Sequence, residues 1–259
     1  GNAMPTSTGM MGGYPATVNV YKFLRDSDVG SRMAQGRMPS DIADLQGTPE
    51  TLGLRQQNFT QHPSDVYAVI WTGGGGFGDP LQRDPQQVWH DVVESRSVSR
   101  EAAATIYGVM VTEDEVLDPA ATDRLRDTMR QGRRAYRHAS QKAWQPGAVL
   151  QGPVLREVTE QLAVRAPQGL RGARAKQQAR WCCRQCATDL GPVSANYKDG
   201  CARHDAPIEH SNPNVGDWRR YIDHEPVFRQ FFCPGCGALI ENEVARVDDP
   251  PLRDIELTL

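Results

Sequence analysis

The sequence has few aromatic residues and a small net charge, and the small net charge disfavours some classes of binding partner. Aromatic side chains make up 7% of the 259 residues, and the formal net charge is −3. A chain without a basic excess has no general electrostatic reason to bind nucleic acid or an anionic membrane. No apolar run approaches the roughly 20 residues that a membrane-spanning helix needs. The sequence therefore predicts no membrane partner.

Recognisable catalytic motifs are missing as well. The sequence has no glycine-rich loop ending in Gly-Lys-Ser/Thr, no carboxylate–histidine metal cluster and no nucleophile–base pair. We therefore predict no catalytic and no cofactor-binding residues in this chain.

An export signal is also missing, which bears on the state of the cysteines. Residues 1–3 (GNA), in front of Met4, resemble a cloning remnant. Several of the six cysteines are spaced two residues apart. Without a signal for export, this grouping favours metal binding in a reducing cytoplasm over disulfides. The sequence thus predicts a cytoplasmic protein.

What the sequence does contain is two CxxC pairs. Cys233 and Cys236 enclose Pro-Gly and are followed by glycine, which is typical of a tight zinc knuckle. A knuckle supplies two of the four ligands that zinc needs, and Cys183 and Cys186 have the same gap. We predict that these four cysteines hold one zinc ion. Its role is structural, because four thiolates leave no open position for chemistry.

The upstream ligands have alternatives. Cys182 directly precedes the first pair and could shift its register, although a packed thiol is the preferred interpretation. Cys201 and His204 lie between the two pairs and could replace an upstream pair. They could also form a second site with His210 or His224, although a histidine near a zinc module is more often a surface or core residue.

Hydrophobic patterns give a coarse secondary structure. Alternating β-branched residues predict a strand at 17–23, and a continuous apolar run predicts a buried strand at 65–71. Between them, 24–63 shows no sustained period and is predicted to be a long structureless segment. Capping residues, in two cases followed by proline, predict three helices, which begin after Asp84, Ser99 and Asp118.

A run of glycines at 73–78 follows the second strand. Such a loop can cradle a phosphate through its backbone N–H groups. It lacks the lysine ending of a nucleotide loop, so a close-packed turn beside another backbone is the preferred interpretation.

Composition divides the chain into four parts. The small, polar, glycine-rich stretch 1–15 is expected to be disordered or to pack on a partner. Strand and helix signals cover 16–137. A linker with a basic helical segment covers 138–180, with a weak helical period at 155–164. The zinc domain is expected at 181–259.

The glycine-rich run is part of a longer resemblance. The sequence GGGGFGDPLQRDP at 73–85, with VSREAA at 98–103 and YGV at 107–109, resembles the C-terminal end of the hydantoinase B/oxoprolinase family. The same segment ends the large subunits of acetone and acetophenone carboxylases. The resemblance is dense over 72–111 and extends more weakly over the rest of 16–137.

The second half resembles another family. The upstream cysteines, the NYK motif at 196–198, and FRQFFCPGCG at 228–237 followed by EVA at 243–245 are similar to the acetone carboxylase gamma subunit. The resemblance implies a zinc-bearing, non-catalytic chain whose ligands are the four paired cysteines.

Together the resemblances imply a fold and a function. The fold is α+β, with a small strand-and-helix domain followed by a zinc-ribbon-like β domain with long loops. The chain is then an accessory subunit of an ATP-dependent, biotin-independent ketone carboxylase (a ligase). A subunit of a hydantoinase- or oxoprolinase-type cyclic amide hydrolase is the alternative. ATP and a divalent metal are expected in the partners only, which are larger hydantoinase A/B-like subunits.

A nucleic-acid-binding zinc ribbon is the other alternative. The stretch 171–184 is basic, and ribbons can use such stretches to contact phosphates. The stretch has little aromatic interleaving and the whole chain is acidic, which disfavours nucleic acid. Steeply salt-dependent retention on immobilised DNA distinguishes this alternative.

Overall fold

The computed structural model describes residues 4–5, 7–53, 56–136 and 147–259, and within them the fold is α+β, as predicted. The strands are β1 (Val20–Arg25), β2 (Thr48–Thr51), β3 (Val66–Ile70), β4 (Val154–Glu157), β5 (Leu162–Arg165), β6 (Arg180–Cys183), β7 (Asp189–Pro192), β8 (Ala202–Pro207), β9 (Pro226–Phe232) and β10 (Leu239–Arg246). The α-helices are α1 (Val29–Ala34), α2 (Pro85–Val93), α3 (Arg100–Thr105), α4 (Pro119–Ala135) and α5 (Gly172–Gln177).

The first sheet has the order β2-β1-β3 and is antiparallel throughout. It corrects the prediction that 24–63 is structureless, because this segment supplies α1 and β2. The guanidinium of Arg25 contacts the carboxylates of Glu50, at 2.6 Å, and Asp65, at 2.9 Å. Asp65 also accepts hydrogen bonds from the backbone of Asp26 and His62. Long-range polar contacts therefore order a segment that has no hydrophobic period.

Strand β3 was predicted correctly, but its burial was not. It is an outer strand of this sheet, and Tyr67 and Ile70 are 45% and 48% exposed. An edge strand is covered less than a central one, so an apolar run alone does not establish burial.

The three predicted helices are present and begin at the predicted caps. The side chains of Asp84, Ser99 and Asp118 each accept a hydrogen bond from a backbone N–H of the first turn. The apolar faces of α2 and α3 form a small core, whose buried members are Val88, Val92, Ala103 and Val109.

The glycine-rich run packs against the N-terminal stretch, which confirms the close-packed turn. Met10 N–H donates to Gly76 O, Gly76 N–H donates to Tyr14 O and Gly78 N–H donates to Met10 O, all at 2.8–2.9 Å. The disorder predicted for 1–15 is therefore wrong for its described part, because backbone pairing with a distant segment fixes it. The remnant predicted at 1–3 lies outside the described residues.

This packing predicts different outcomes for neighbouring glycines. A Cβ on Gly75 lies 2.1 Å from Thr8 O, whereas a Cβ on Gly74 meets no atom within 4 Å. We expect Gly75→Ala to lower the free energy of unfolding by about 1–3 kcal/mol, because the two backbones must separate. Gly74→Ala is the matched control and should be neutral or slightly stabilising. Urea unfolding measures both, and equal effects would contradict the packing.

The C-terminal half contains two antiparallel sheets, ordered β4-β5-β6-β7 and β10-β9-β8. The β4-β5-β6-β7 sheet corrects the helical interpretation of 155–164, because this segment instead contributes to β4 and β5. Leu162, Ala163 and Val164 are all buried, and β5 pairs on both sides. Pairing with distant strands outweighs a weak local period. The part of the predicted linker at 138–146 lies outside the described residues.

Both of these sheets contribute to the main core. Its large buried members include Trp181 of β6, Phe231 of β9 and Tyr197, which lies between β7 and β8 and has its ring centre 5.7 Å from that of Trp181. Cys183 and Cys233 belong to the same cluster. The cysteine pairs therefore lie at the ends of strands that share a hydrophobic core.

Candidate metal centre

The second cysteine pair forms a tight turn between β9 and β10. Cys233 N–H donates to Ala238 O at 2.7 Å, and Gly237 N–H donates to Cys233 O at 2.8 Å. Gly237 has φ +77°, where glycine is favoured, and a Cβ on Gly235 would lie 2.0 Å from the hydroxyl of Thr188. The two glycines of this motif thus serve the turn and its close approach to the first pair.

The first cysteine pair forms the same turn between β6 and β7. Cys183 N–H donates to Thr188 O at 3.1 Å, and Ala187 N–H donates to Cys183 O at 2.9 Å. Ala187 occupies the left-handed position with φ 54°. The Thr188 hydroxyl lies 3.0 Å from Cys186 Sγ and can donate to it. Two equivalent knuckles therefore face each other.

The two knuckles bring the four predicted sulfurs together. All four Sγ atoms lie within 4.8 Å of one another. Cys183 and Cys236 are 3.7 Å apart, and Cys186 and Cys233 are 3.5 Å apart. Tetrahedral zinc with Zn–S bonds of about 2.3 Å places sulfurs about 3.8 Å apart, whereas a disulfide is about 2.05 Å long. The donor set and its spacing fit a tetrahedral metal ion.

Hydrogen bonds among the four sulfurs shift the pKa values of the cysteines in opposite directions. The pKa of Cys183 and of Cys233 is raised by hydrogen bonds within the cluster. The pKa of Cys186 and of Cys236 is lowered, chiefly because their sulfurs accept from Cys183. Sulfurs this close share protons, and a cation that replaces those protons stabilises all four as thiolates.

The alternative ligands lie elsewhere. Cys182 points away from the cluster, and its Sγ contacts Ala163 O at 3.5 Å. Cys201 is buried with its Sγ 3.5 Å from Tyr197 O, and His204 stacks on Tyr136 at 3.9 Å. Across 4–5, 7–53, 56–136 and 147–259, the four paired cysteines are the one group of three or more potential ligands that lie this close together.

A buried ion pair joins the metal centre to the N-terminal half. Arg133 Nη1 of α4 lies 3.0 Å and 2.9 Å from the two carboxylate oxygens of Asp79, which directly follows the glycine-rich run. Their side chains are 8% and 1% exposed. Asp79 also accepts a hydrogen bond from Leu239 N–H, 3.0 Å away, directly after the second knuckle. The sequence motif GDP gave no indication of this role.

A second buried ionic network holds the C-terminal tail on the sheet. Lys198 Nζ lies 2.7 Å from Glu243, 2.9 Å from Asp254 and 3.0 Å from the carbonyl oxygen of Leu252. Arg229 is fully buried, and its guanidinium contacts Asp205 and backbone carbonyls of the tail. A lone arginine within the apolar strand PVFRQFF requires buried partners, and that signal could have predicted the network.

The basic stretch 171–184 is partly neutralised by acidic neighbours. Arg180 lies 2.6 Å from the carboxylate of Asp189, and Arg184 lies 3.0 Å from that of Glu157. Cations that already have carboxylate partners contribute less to phosphate binding. These pairs weigh against the nucleic-acid alternative.

The C-terminal half has the features of a known class of domain and is similar to a known family. Its cysteine cluster and hairpins define a zinc-ribbon-like domain. Residues 157–259 match the sequence model of the acetone carboxylase gamma subunit family. Over this range, the C-terminal part of the chain is therefore similar to the acetone carboxylase gamma subunit family.

Two relatives extend the comparison. Over 102 residues the chain is 40% identical to a putative D-/L-hydantoinase subunit of the B type from Pseudomonas sp. (strain NS671). Over 82 residues it is 33% identical to the acetophenone carboxylase beta subunit of Aromatoleum aromaticum (strain DSM 19018 / LMG 30748 / EbN1). These matches cover 39% and 30% of this chain, and 16% and 64% of the relatives. Both resemblances in the sequence are confirmed, although the chain spans under two thirds of either relative.

Among the described residues, no helix has both the length and the apolar character required to cross a bilayer.

Proposed function

We propose that this chain is a small zinc-bearing accessory subunit of a multisubunit ATP-dependent, biotin-independent ketone carboxylase of the acetone/acetophenone carboxylase type. The observation that carries the proposal is the four-sulfur cluster within a domain matching the acetone carboxylase gamma subunit. The similarity to an acetophenone carboxylase subunit supports the same class.

The zinc in this proposal is structural. Cys183, Cys186, Cys233 and Cys236 are its ligands, and four thiolates complete a tetrahedral shell. Such an ion cannot activate water without giving up a ligand. Its contribution is to hold the two hairpins together, in a cytoplasm that keeps the cysteines reduced.

Chemistry is assigned to the partners. The proposal places ATP and a divalent metal in larger hydantoinase A/B-like subunits, and gives this chain an architectural role in their complex. The similarity to a hydantoinase subunit of the B type supports partners of that kind.

Affinity purification of the chain from its native cells tests the proposal. We expect larger hydantoinase A/B-like chains to co-purify, and the complex to hydrolyse ATP when a ketone and bicarbonate are added. A Cys236→Ser complex should lose ATP turnover only as far as its subunits dissociate. An intact complex without ATP turnover would show that the metal takes part in the reaction. ATP hydrolysis by the isolated chain would overturn the accessory role.

A cyclic amide hydrolase is the second candidate. The 40% identity to a putative D-/L-hydantoinase subunit of the B type favours it. The same purified complex distinguishes the two candidates, because an amide hydrolase turns over ATP with a hydantoin or another cyclic amide and without bicarbonate. Turnover that requires both ketone and bicarbonate supports the carboxylase.

A further inference from the structure

We infer that the Asp79–Arg133 ion pair is a positioning element of the metal centre, so that the N-terminal half of the chain controls how tightly the cysteines hold their ion. The inference rests on the proposed metal site and is independent of the proposed carboxylase. Within the part of the chain that the structure describes, neither side chain hydrogen-bonds to a cysteine sulfur. They act instead through the backbone of the second knuckle and of the residues that directly follow it, 233–239.

Arg133 holds the turn of the second knuckle at Gly237. The carbonyl oxygen of Gly237 accepts a hydrogen bond from Arg133 Nη1 at 3.4 Å. The N–H of the same residue closes the turn by donating to Cys233 O at 2.8 Å. Arg133 therefore fixes the residue whose backbone closes the turn around a ligand cysteine.

The peptide unit that links Ala238 and Leu239 is also held. Its N–H, on Leu239, donates to Asp79 Oδ2 at 3.0 Å. Its carbonyl, on Ala238, accepts from Cys233 N–H at 2.7 Å. Asp79 and Arg133 therefore hold two consecutive residues, Ala238 through its peptide link to Leu239 and Gly237 through its carbonyl, and both hydrogen-bond to the backbone of the ligand Cys233.

Helix α4 also lies directly against the knuckle. A Cβ on Gly237 would come within 2.5 Å of the backbone oxygen of Arg130. Arg134 Nη1 approaches Gly235 O at 3.3 Å, and the guanidinium of Arg133 lies 5.1 Å from the ring centre of Phe232. Contacts from three residues of α4 thus converge on the Cys233–Cys236 pair.

The first knuckle has a different support. Cys186 receives its hydrogen bond from Thr188, a residue of its own turn. The ion pair therefore acts on one side of the metal centre, the Cys233–Cys236 side. When the pair is removed, the metal should be released by opening of this side first.

The experiment uses the full-length zinc-loaded chain and measures zinc transfer to a chromogenic chelator. Partners outside the first ligand shell typically change metal affinity by about 10–100-fold. We expect Asp79→Asn to release zinc about tenfold or more faster than the wild type. Substitution by cobalt should give a wild-type tetrahedral thiolate spectrum that bleaches faster with chelator.

A matched control separates positioning from general instability. Asp65 is also a buried carboxylate paired with an arginine, but it lies directly before β3, in the N-terminal half of the chain. We expect Asp65→Asn to leave zinc release within about twofold of the wild type. Equal acceleration in both variants, or wild-type release from Asp79→Asn, would overturn the inference.

A second variant serves if Asp79→Asn does not fold. Arg133→Lys keeps a cation beside Asp79, but its shorter side chain withdraws the donor from the Gly237 carbonyl, which Nη1 of the arginine reaches only at 3.4 Å. Faster zinc release from Arg133→Lys supports the inference, and unchanged release contradicts it. A wild-type chain that binds no zinc or cobalt at all would instead refute the proposed metal site.

Discussion

Replacing both Cys233 and Cys236 by serine is expected to abolish metal binding and to unfold roughly 181–245. In zinc-finger peptides the bound ion contributes on the order of 10–16 kcal/mol, which matches or exceeds the stability of a typical domain. The core beside the cluster includes Cys183 and Cys233 themselves, so losing the ion also separates β6 from β9. The first half should keep its fold. Elemental analysis and amide hydrogen exchange measure both effects.

The control for this change is Cys182→Ala. Cys182 is buried in β6 next to a ligand, but its sulfur faces Ala163 and not the cluster. Truncating a small buried side chain should cost about 1 kcal/mol and leave the metal in place. Full zinc retention in the Cys233/Cys236 double variant, or zinc loss in Cys182→Ala, would show that the ligands are misassigned.

Truncating Lys198 is expected to cost about 3–5 kcal/mol of unfolding free energy, the second-largest effect. Removing one partner of a buried ion pair leaves the other charge without compensation. The Lys198 side chain is 1% exposed, and its ammonium contacts both Glu243 and Asp254. In Lys198→Met, Glu243 remains buried. Arg229 Nη1 lies 3.7 Å from its carboxylate, farther than the 2.7 Å that separates it from Lys198 Nζ in the wild type. The tail from 246 onward should also become sensitive to protease.

Arg246→Ala is the matched control for the ionic network. Arg246 pairs with Asp249 at 2.7 Å, but the two side chains are 58% and 37% exposed. Exposed pairs contribute between zero and about 1 kcal/mol, so this variant should remain close to the wild type in urea unfolding. If Lys198→Met were as mild as Arg246→Ala, the buried network would contribute little to stability.

Local features of the sequence were sufficient to predict some of this fold. A CxxC knuckle depends on residues that are close in the chain, so spacing alone was enough to predict the two cysteine pairs that the structure brings together. N-caps such as Asp84 and Ser99 act on the next turn of the chain, and they begin helices where predicted. The pairing of the two cysteine motifs followed from the need of a tetrahedral ion for four ligands.

Features that depend on distant residues were not predictable from local pattern. Asp79 meets Arg133 and Leu239, which lie 54 and 160 positions away in the chain. The β2 strand forms by pairing with β1, and β5 by pairing with β4 and β6, although neither segment has a strand period of its own. Tertiary pairing decides such segments, and one sequence gives no measure of it.

X-ray absorption at the zinc edge, with elemental analysis of the same sample, tests the central claim most directly. The account predicts one zinc per chain, surrounded by four sulfur atoms at about 2.3 Å and by no nitrogen or oxygen ligand. The same spectrum should be obtained from the chain alone and from its native complex. A zinc-free native protein, or a shell in which nitrogen or oxygen replaces one sulfur, would contradict the four-thiolate structural centre.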